Sequence, residues 1–134
     1  MTIRNVFEEC VRRKVPVLPF CDETGRVTGR LALRHILRIS SLPDYALETA
    51  HLLGDTGIHP DFDNSHFQQL MDHPVEEYVL KNNVNVSPRS SVQKILALME
   101  TSGRNHAFVM DDAQYHGVVT RVAVTDLILN CRDC

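Results

Sequence analysis

The stretch NVNVSPRSSVQKILALMETSGRNHAFVMDDAQYHGVVT, Asn83 to Thr120, decides the fold, because the chain carries most of it twice. Thr2 to Asp22 lies over Ser91 to Asp111 at a constant offset, the mark of an internal repeat. Ile3 falls on Val92, Val6 on Ile95, Phe7 on Leu96 and Cys10 on Met99. Leu18 then falls on Ala107, Pro19 on Phe108, Phe20 on Val109 and Asp22 on Asp111. One residue is lost in the turn, after which Gly29 meets Gly117, Leu31 meets Val119 and Ala32 meets Thr120.

The shared pattern has a physical reading. Ile3, Val6, Phe7 and Cys10 recur at the spacing of one helix face, and so do Val92, Ile95, Leu96 and Met99. Thr2 is expected to cap the first helix, and Ser90 with Gln93 to form a capping box for the second. The helices should end near Lys14 and Gly103, where a glycine suits a left-handed cap. Strands follow at 15–21 and 106–110, then turns at 22–25 and 111–114 rich in acidic and glycine residues. Second strands are expected at 26–31 and 115–120, and closing helices at 33–39 and 122–129. Each unit is therefore α-β-β-α. Alone it cannot cover both faces of its strands, so the two units should pack around one core.

Val84 and Val86 alternate with asparagines and give the second unit an extended lead-in. Only Met1 precedes Thr2, so the first unit is expected to lack that strand, either because the chain is a fragment or because the strand is dispensable here. Between the units, Ala46, Leu47, Ala50 and Leu53 recur near helical spacing after Pro43-Asp44, Gly54 and Gly57 break the pattern, and a short helix is expected around 67–71. The organisation expected is a first repeat at 1–39, a connector at 40–72, a second repeat at 73–130 and a tail at 131–134. The fold class is α+β.

Composition narrows the function. Apolar residues make up 43% and charged residues 23%, enough for a core, and a net charge of −3 offers no basic field for nucleic acid. No apolar run has the length of a membrane helix, and the N-terminus lacks a signal-peptide layout, so a cytoplasmic protein is expected. The four cysteines then read as reduced thiols, with Cys10 and Cys21 in the core and the CRDC tail incidental. There is no glycine-rich phosphate loop, nucleophile elbow or catalytic dyad, which argues against an enzyme. The connector holds His51, His59, His66 and His73 beside Asp61, Asp63 and Asp72. A calcium loop starting at Asp61 fails, because His66 stands where glycine is needed and Asp72 where a glutamate is needed.

The second unit, HPVEEYVLKNNVNVSPRSSVQKILALMETSGRNHAFVMDDAQYHGVVT, closely resembles a CBS domain, the module named after cystathionine β-synthase. It carries that family's V-x-V-x-P lead-in, its capped helix, its second strand ending in aspartate, and most of the pattern G-h-h-T-x-x-D, where h is apolar. The first unit resembles the same domain without its lead-in strand. The resemblance covers 2–39 and 73–129. It implies two β-α-β-β-α units related by a pseudo-twofold axis and packed through their sheets, an arrangement called a Bateman module. It further implies a homodimer and a regulatory role towards an unknown effector domain or protein. AMP, ADP, ATP or S-adenosylmethionine would be the ligand in the cleft between repeats, with no cofactor required and no membrane insertion.

The resemblance also implies site residues. The hydroxyl and carboxylate of G-h-h-T-x-x-D grip a ribose. In the first unit those positions are Ala32 and His35; in the second they are Thr120 and Ala123, with Asp126 almost a helical turn further on. Losing a charged hydrogen-bond partner weakens binding by roughly ten- to a hundredfold. Asn85, Val86 and Ser87 would give backbone contacts to the base. Arg104, Asn105 and His106 would reach the phosphates, since a guanidinium fork matches phosphate oxygens. Arg121 could add a contact, and Lys14, Arg34 and His35 are weaker candidates. Each has a plain alternative: Thr120 can simply cap the next helix, Arg104 and His106 can be solvated corner residues, and Arg121 a surface charge. Two functions remain in play, a nucleotide sensor and an interaction module that has lost its ligand.

Overall fold

In the computed structural model of the protein, residues 1–42, 47–48, 50–52 and 64–131 are described. The elements run α1 (Ile3–Arg13), β1 (Val17–Cys21), β2 (Val27–Ala32), α2 (Leu33–Ser41), α3 (Asn64–Met71), β3 (Asn85–Val86), α4 (Val92–Ser102), β4 (His106–Asp111), β5 (Gln114–Thr120) and α5 (Arg121–Asn130). Single 3-10 turns occupy Ala50–Leu52 and Glu76–Tyr78. The mixed α and β content agrees with the sequence. Most of the expected connector helix, and the aspartates Asp61 and Asp63, lie outside the described residues.

The helices α1 and α4 begin and end alike. Thr2 caps α1 through a full capping box with Asn5. At the equivalent position Ser91, not Ser90, caps α4 by accepting from the Lys94 N–H. The Ser90 hydroxyl instead accepts from the Ser87 N–H at 3.0 Å and closes the preceding turn. Both helices stop on a left-handed residue, Lys14 at φ 57° and Gly103 at φ 66°. That geometry costs a side-chain-bearing residue about 1–2 kcal/mol and a glycine little.

The chain forms two compact units, Met1–Pro16 with Leu31–Val79, and Val17–Arg30 with Leu80–Cys134. In the first, Ile3, Val6, Cys10, Ile36, Leu70 and Val75 are buried. The start of α1 is tied to the segment after α3. Ile3 donates its N–H to the His73 carbonyl at 3.0 Å, Thr2 bridges Pro74, and Arg4 lies 3.8 Å from Asp72. His66 bonds the Ser40 carbonyl at 2.8 Å through Nε2. Burial, and then the Glu9 charge, push the Cys10 thiol up to about 11, as befits a core thiol.

The second unit holds a two-stranded sheet, β1-β2, and a three-stranded sheet in the order β3-β4-β5. β3 runs parallel to β4, pairing Asn85 with Phe108, and β5 runs antiparallel, pairing His106 with Thr120 and Phe108 with Val118. Paired residues share a face. One face carries Val86 and Ala107, which pack with Met99 of α4 and with Val84, Ile95 and Val119. The other carries Asn85, His106, Phe108, Val118 and Thr120. Two thiol expectations need correction. Cys21, the last residue of β1, is exposed rather than in the core. Cys131 is disulfide-bonded rather than reduced, and Cys134 lies outside the described residues.

The two helix ends make opposite predictions. A Cβ on Gly103 would meet nothing within 4 Å, so the only cost of Gly103→Ala is backbone strain. It should lower stability by about 1–2 kcal/mol, whereas Lys14→Gly should not lower it. Urea titrations of the two variants check this.

Candidate functional site

Register assembles the site. His106 at the start of β4 stands directly opposite Thr120 at the end of β5. The parallel pairing of β3 places Asn85 on the same face, and the run continues two residues back to Asn83, since the Phe108 N–H bonds the Val84 carbonyl at 2.8 Å. Asn83, His106 and Thr120 thus form a row across the three strands, away from α4. The α4-to-β4 corner contributes Arg104, two residues before His106.

A fifth side chain, absent from the expected set, comes from the first sequence repeat. Arg30 of β2 is 7% exposed. Its backbone exchanges two hydrogen bonds with Leu80, at 2.8 and 2.9 Å. Its Nη1 donates to the carbonyls of Lys81 at 2.7 Å and Asn82 at 3.3 Å. Burial, then the nearby Arg104 charge, hold its guanidinium below the ordinary range. The sequence did carry a signal: Arg30 is the lone cation within an apolar stretch, where the second repeat has Val118.

The electrostatics are unusual. Burial first, then the charges of Arg30 and Arg104, push the His106 imidazole down to about 4, so it is neutral at pH 7. Among the described residues, three buried polar atoms have no hydrogen-bond partner: Arg104 Nη1, His106 Nε2 and Asn83 Oδ1. Buried polar groups are nearly always paired, so such a cluster points to an absent partner. Beside β3 an open groove of about 520 Å³ is lined by Asn83, Val84, Asn85, Leu98, Thr101 and Ser102, a size that suits a small organic ligand.

The other expected residues fall as follows. The Thr120 hydroxyl accepts from the Ala123 N–H at 3.2 Å and caps α5. A hydroxyl has two lone pairs and a proton, so this bond leaves its O–H to donate elsewhere. Asp126 accepts from Asn130 at 3.0 Å on the exposed side of α5. Val86 has its side chain in the core. The Ser87 hydroxyl accepts from the Arg89 N–H at 3.0 Å. Arg121 is engaged within the fold, donating to Asn105 Oδ1 at 3.1 Å, Glu100 Oε2 at 2.9 Å and the Arg104 carbonyl at 3.4 Å. It fixes the corner that carries Arg104. Lys14 is the left-handed end of α1.

Comparison with known proteins agrees with this architecture. Residues 75–130 match the profile of the CBS domain family. This segment is a CBS domain, and the chain as a whole takes the fold of CBS-domain proteins. The chain is similar to the CBS domain of a CBS domain containing membrane protein from Sphaerobacter thermophilus, with TM-score 0.66 and 22% identity over 94% of this chain and 76% of that one. A conserved protein from Pyrococcus horikoshii gives TM-score 0.69 at 14% identity, covering 100% of this chain and 83% of that one. CBSX2, solved in complex with AMP, gives 0.64 at 17% identity, covering 98% and 86%. No curated protein matches the chain. Among the described residues, no helix is long and apolar enough to cross a membrane, and no group of three or more His, Cys, Asp or Glu could hold a metal ion.

The depressed His106 titration makes stability depend on pH. The unfolded imidazole takes its proton near 6.5 and the folded one only near 4. The unfolded state therefore binds more protons between these values, and stability falls as pH drops through that window. Thermal melts from pH 7 to 4.5 should show this fall, and His106→Gln should flatten it.

Proposed function

We propose that this chain is a regulatory ligand-sensing module that binds an adenosine-containing ligand weakly and passes the binding on to an effector domain or protein. The unpartnered Arg104 Nη1 and His106 Nε2, in a row with Asn83 and Thr120, carry this reading. They form a polar surface with donors and an acceptor that no described residue satisfies. The ribose would meet the Thr120 hydroxyl, the base would lie near the backbone of Asn85 to Ser87 and the groove beside β3, and the phosphates would meet Arg104 and His106. Asn105 and Arg121 would brace that corner. Affinity would be low because Ala123 brings no carboxylate to the ribose. The AMP complex of CBSX2 supports the ligand class. CBS-domain proteins are generally regulatory rather than catalytic, which supports a role without chemistry of its own.

A second reading has its own observation. Helix α5 buries Val124 but exposes Val122 at 79%, Leu127 at 54%, Ile128 at 51% and Leu129 at 78%. Large apolar side chains gathered on one exposed helix favour a protein partner, and a second copy of this chain is the partner that the resemblance suggests. On this reading the module dimerises and its ligand site is vestigial.

Ligand panels separate the two. A millimolar adenine nucleotide should raise the melting temperature. Thr120→Val should reduce that shift, beyond lowering the unliganded stability by about 1 kcal/mol through loss of the cap. If AMP, ADP, ATP and S-adenosylmethionine all leave the melting temperature unmoved, the interaction reading stands in its place.

A further inference from the structure

The charge of the ligand is not fixed by an adenosine moiety: nucleotides are anions, whereas S-adenosylmethionine carries a sulfonium cation. We propose that the ligand of this module is a phosphate-bearing anion, that S-adenosylmethionine is excluded, and that the phosphate binds with uptake of a proton at His106. This rests on the ligand-binding reading above and narrows its class.

The charged side chains that gather here are all cations. Arg30 arrives from β2, Arg104 from the corner before β4, and His106 from β4 itself. From β3 the neighbour is the uncharged Asn83, from β5 the uncharged Thr120, and along β4 the ring of Phe108, 6.0 Å from that of His106. The only charges that act on His106 are Arg30 and Arg104, and no carboxylate contributes among the described residues. Glu100, on α4 before the corner, is paired with Arg121 at 2.9 Å. Two guanidinium groups held close in a partly buried place repel, and the Nη1 of Arg104 stays unpaired. An anion between them removes both costs at once. A sulfonium cation would add to the repulsion.

The same change reverses the field at His106. Burial first, and then the two cations, now oppose its protonation; a phosphate monoester with a charge near −2 at pH 7 removes the cationic part and opposes the effect of burial. The proton comes from solvent and goes to the free imidazole nitrogen. Affinity therefore rises as pH falls from about 8 to 7, above the range where most of the ligand's own second proton, with a pKa of about 6, returns.

Calorimetry on the full chain tests this, with AMP, adenosine, S-adenosylmethionine and inorganic phosphate, each in two buffers of different ionisation enthalpy. AMP should bind at least about tenfold more tightly than adenosine or S-adenosylmethionine. Its heat should depend on the buffer in the sense of proton uptake. His106→Gln should still bind AMP, severalfold more weakly, with no buffer dependence. Arg104→Gln should weaken AMP about tenfold and leave adenosine unchanged. The melting temperature of each unliganded variant shows that it is folded. S-adenosylmethionine or adenosine binding as tightly as AMP overturns the inference and leaves the adenosine reading intact. Buffer-independent AMP binding overturns the proton step. Inorganic phosphate binding as tightly as AMP supports the phosphate site and removes the adenosine reading. If none of the four binds, both readings fall.

Discussion

Much of the second unit hangs on Arg30. A guanidinium at 7% exposure must be compensated or it destabilises the fold. Here the compensation comes from main-chain carbonyls rather than from a carboxylate. Two backbone bonds to Leu80 and two guanidinium bonds to Lys81 and Asn82 fasten the segment that leads into β3. Asn82 then turns with φ 66°, and the chain emerges as the strand that pairs with β4. Carbonyl dipoles solvate the charge without cancelling it. The cation therefore remains electrostatically active towards Arg104 and His106, which a salt bridge would have prevented.

The two repeats assign the same local task to equivalent positions and differ in the side chain that performs it. Thr2 and Ser91 both cap a helix with a hydroxyl. Lys14 and Gly103 both end one in the left-handed region. Ala32 and Thr120 both stand at the N-cap of a closing helix, in extended conformation, yet Ala32 makes no side-chain bond there. Helix α2 thus begins without a hydroxyl. The capping bond of Thr120 adds stability to α5, but the backbone geometry does not require it.

Periodic features were the readable ones. The helices and strands aligned between the two halves, the short helix before His73 and the left-handed ends all follow from spacing and turn chemistry, and the structure has them with ends moved by one to three residues. The cap lies one position from where the sequence puts it because SPRSS offers adjacent serines with equal chemistry. The repeat itself had already set Thr2 over Ser91. Cys21 was misread because an apolar pattern reaches the final strand residue, while the chain there is already leaving the sheet. Thr120, Arg104 and His106 follow from a motif, but their electrical environment does not. It depends on Arg30, distant in sequence and unlike its counterpart Val118. Arg121 could not be assigned from sequence either, since Glu100 and Asn105 come within reach only after folding.

The hairpin between β4 and β5 turns on Asp112 and Ala113, both at positive φ, and closes with Asp111 opposite Gln114. The ladder then slips by one residue between Val109 and Met110, so that Val109 meets Gly117 and His106 meets Thr120. Without that bulge the partner of His106 would be Val119. Side chains alternate along a strand, so a slip of one residue exchanges the two faces. The hydroxyl would then lie against α4 and a valine would stand in the polar row. Surface turns usually tolerate insertions and deletions. This one acts as a counter: chain length between Asp111 and Gly117 decides which face of the sheet is polar, and drift by a single residue there would erase the site while leaving every side chain of the site in the sequence.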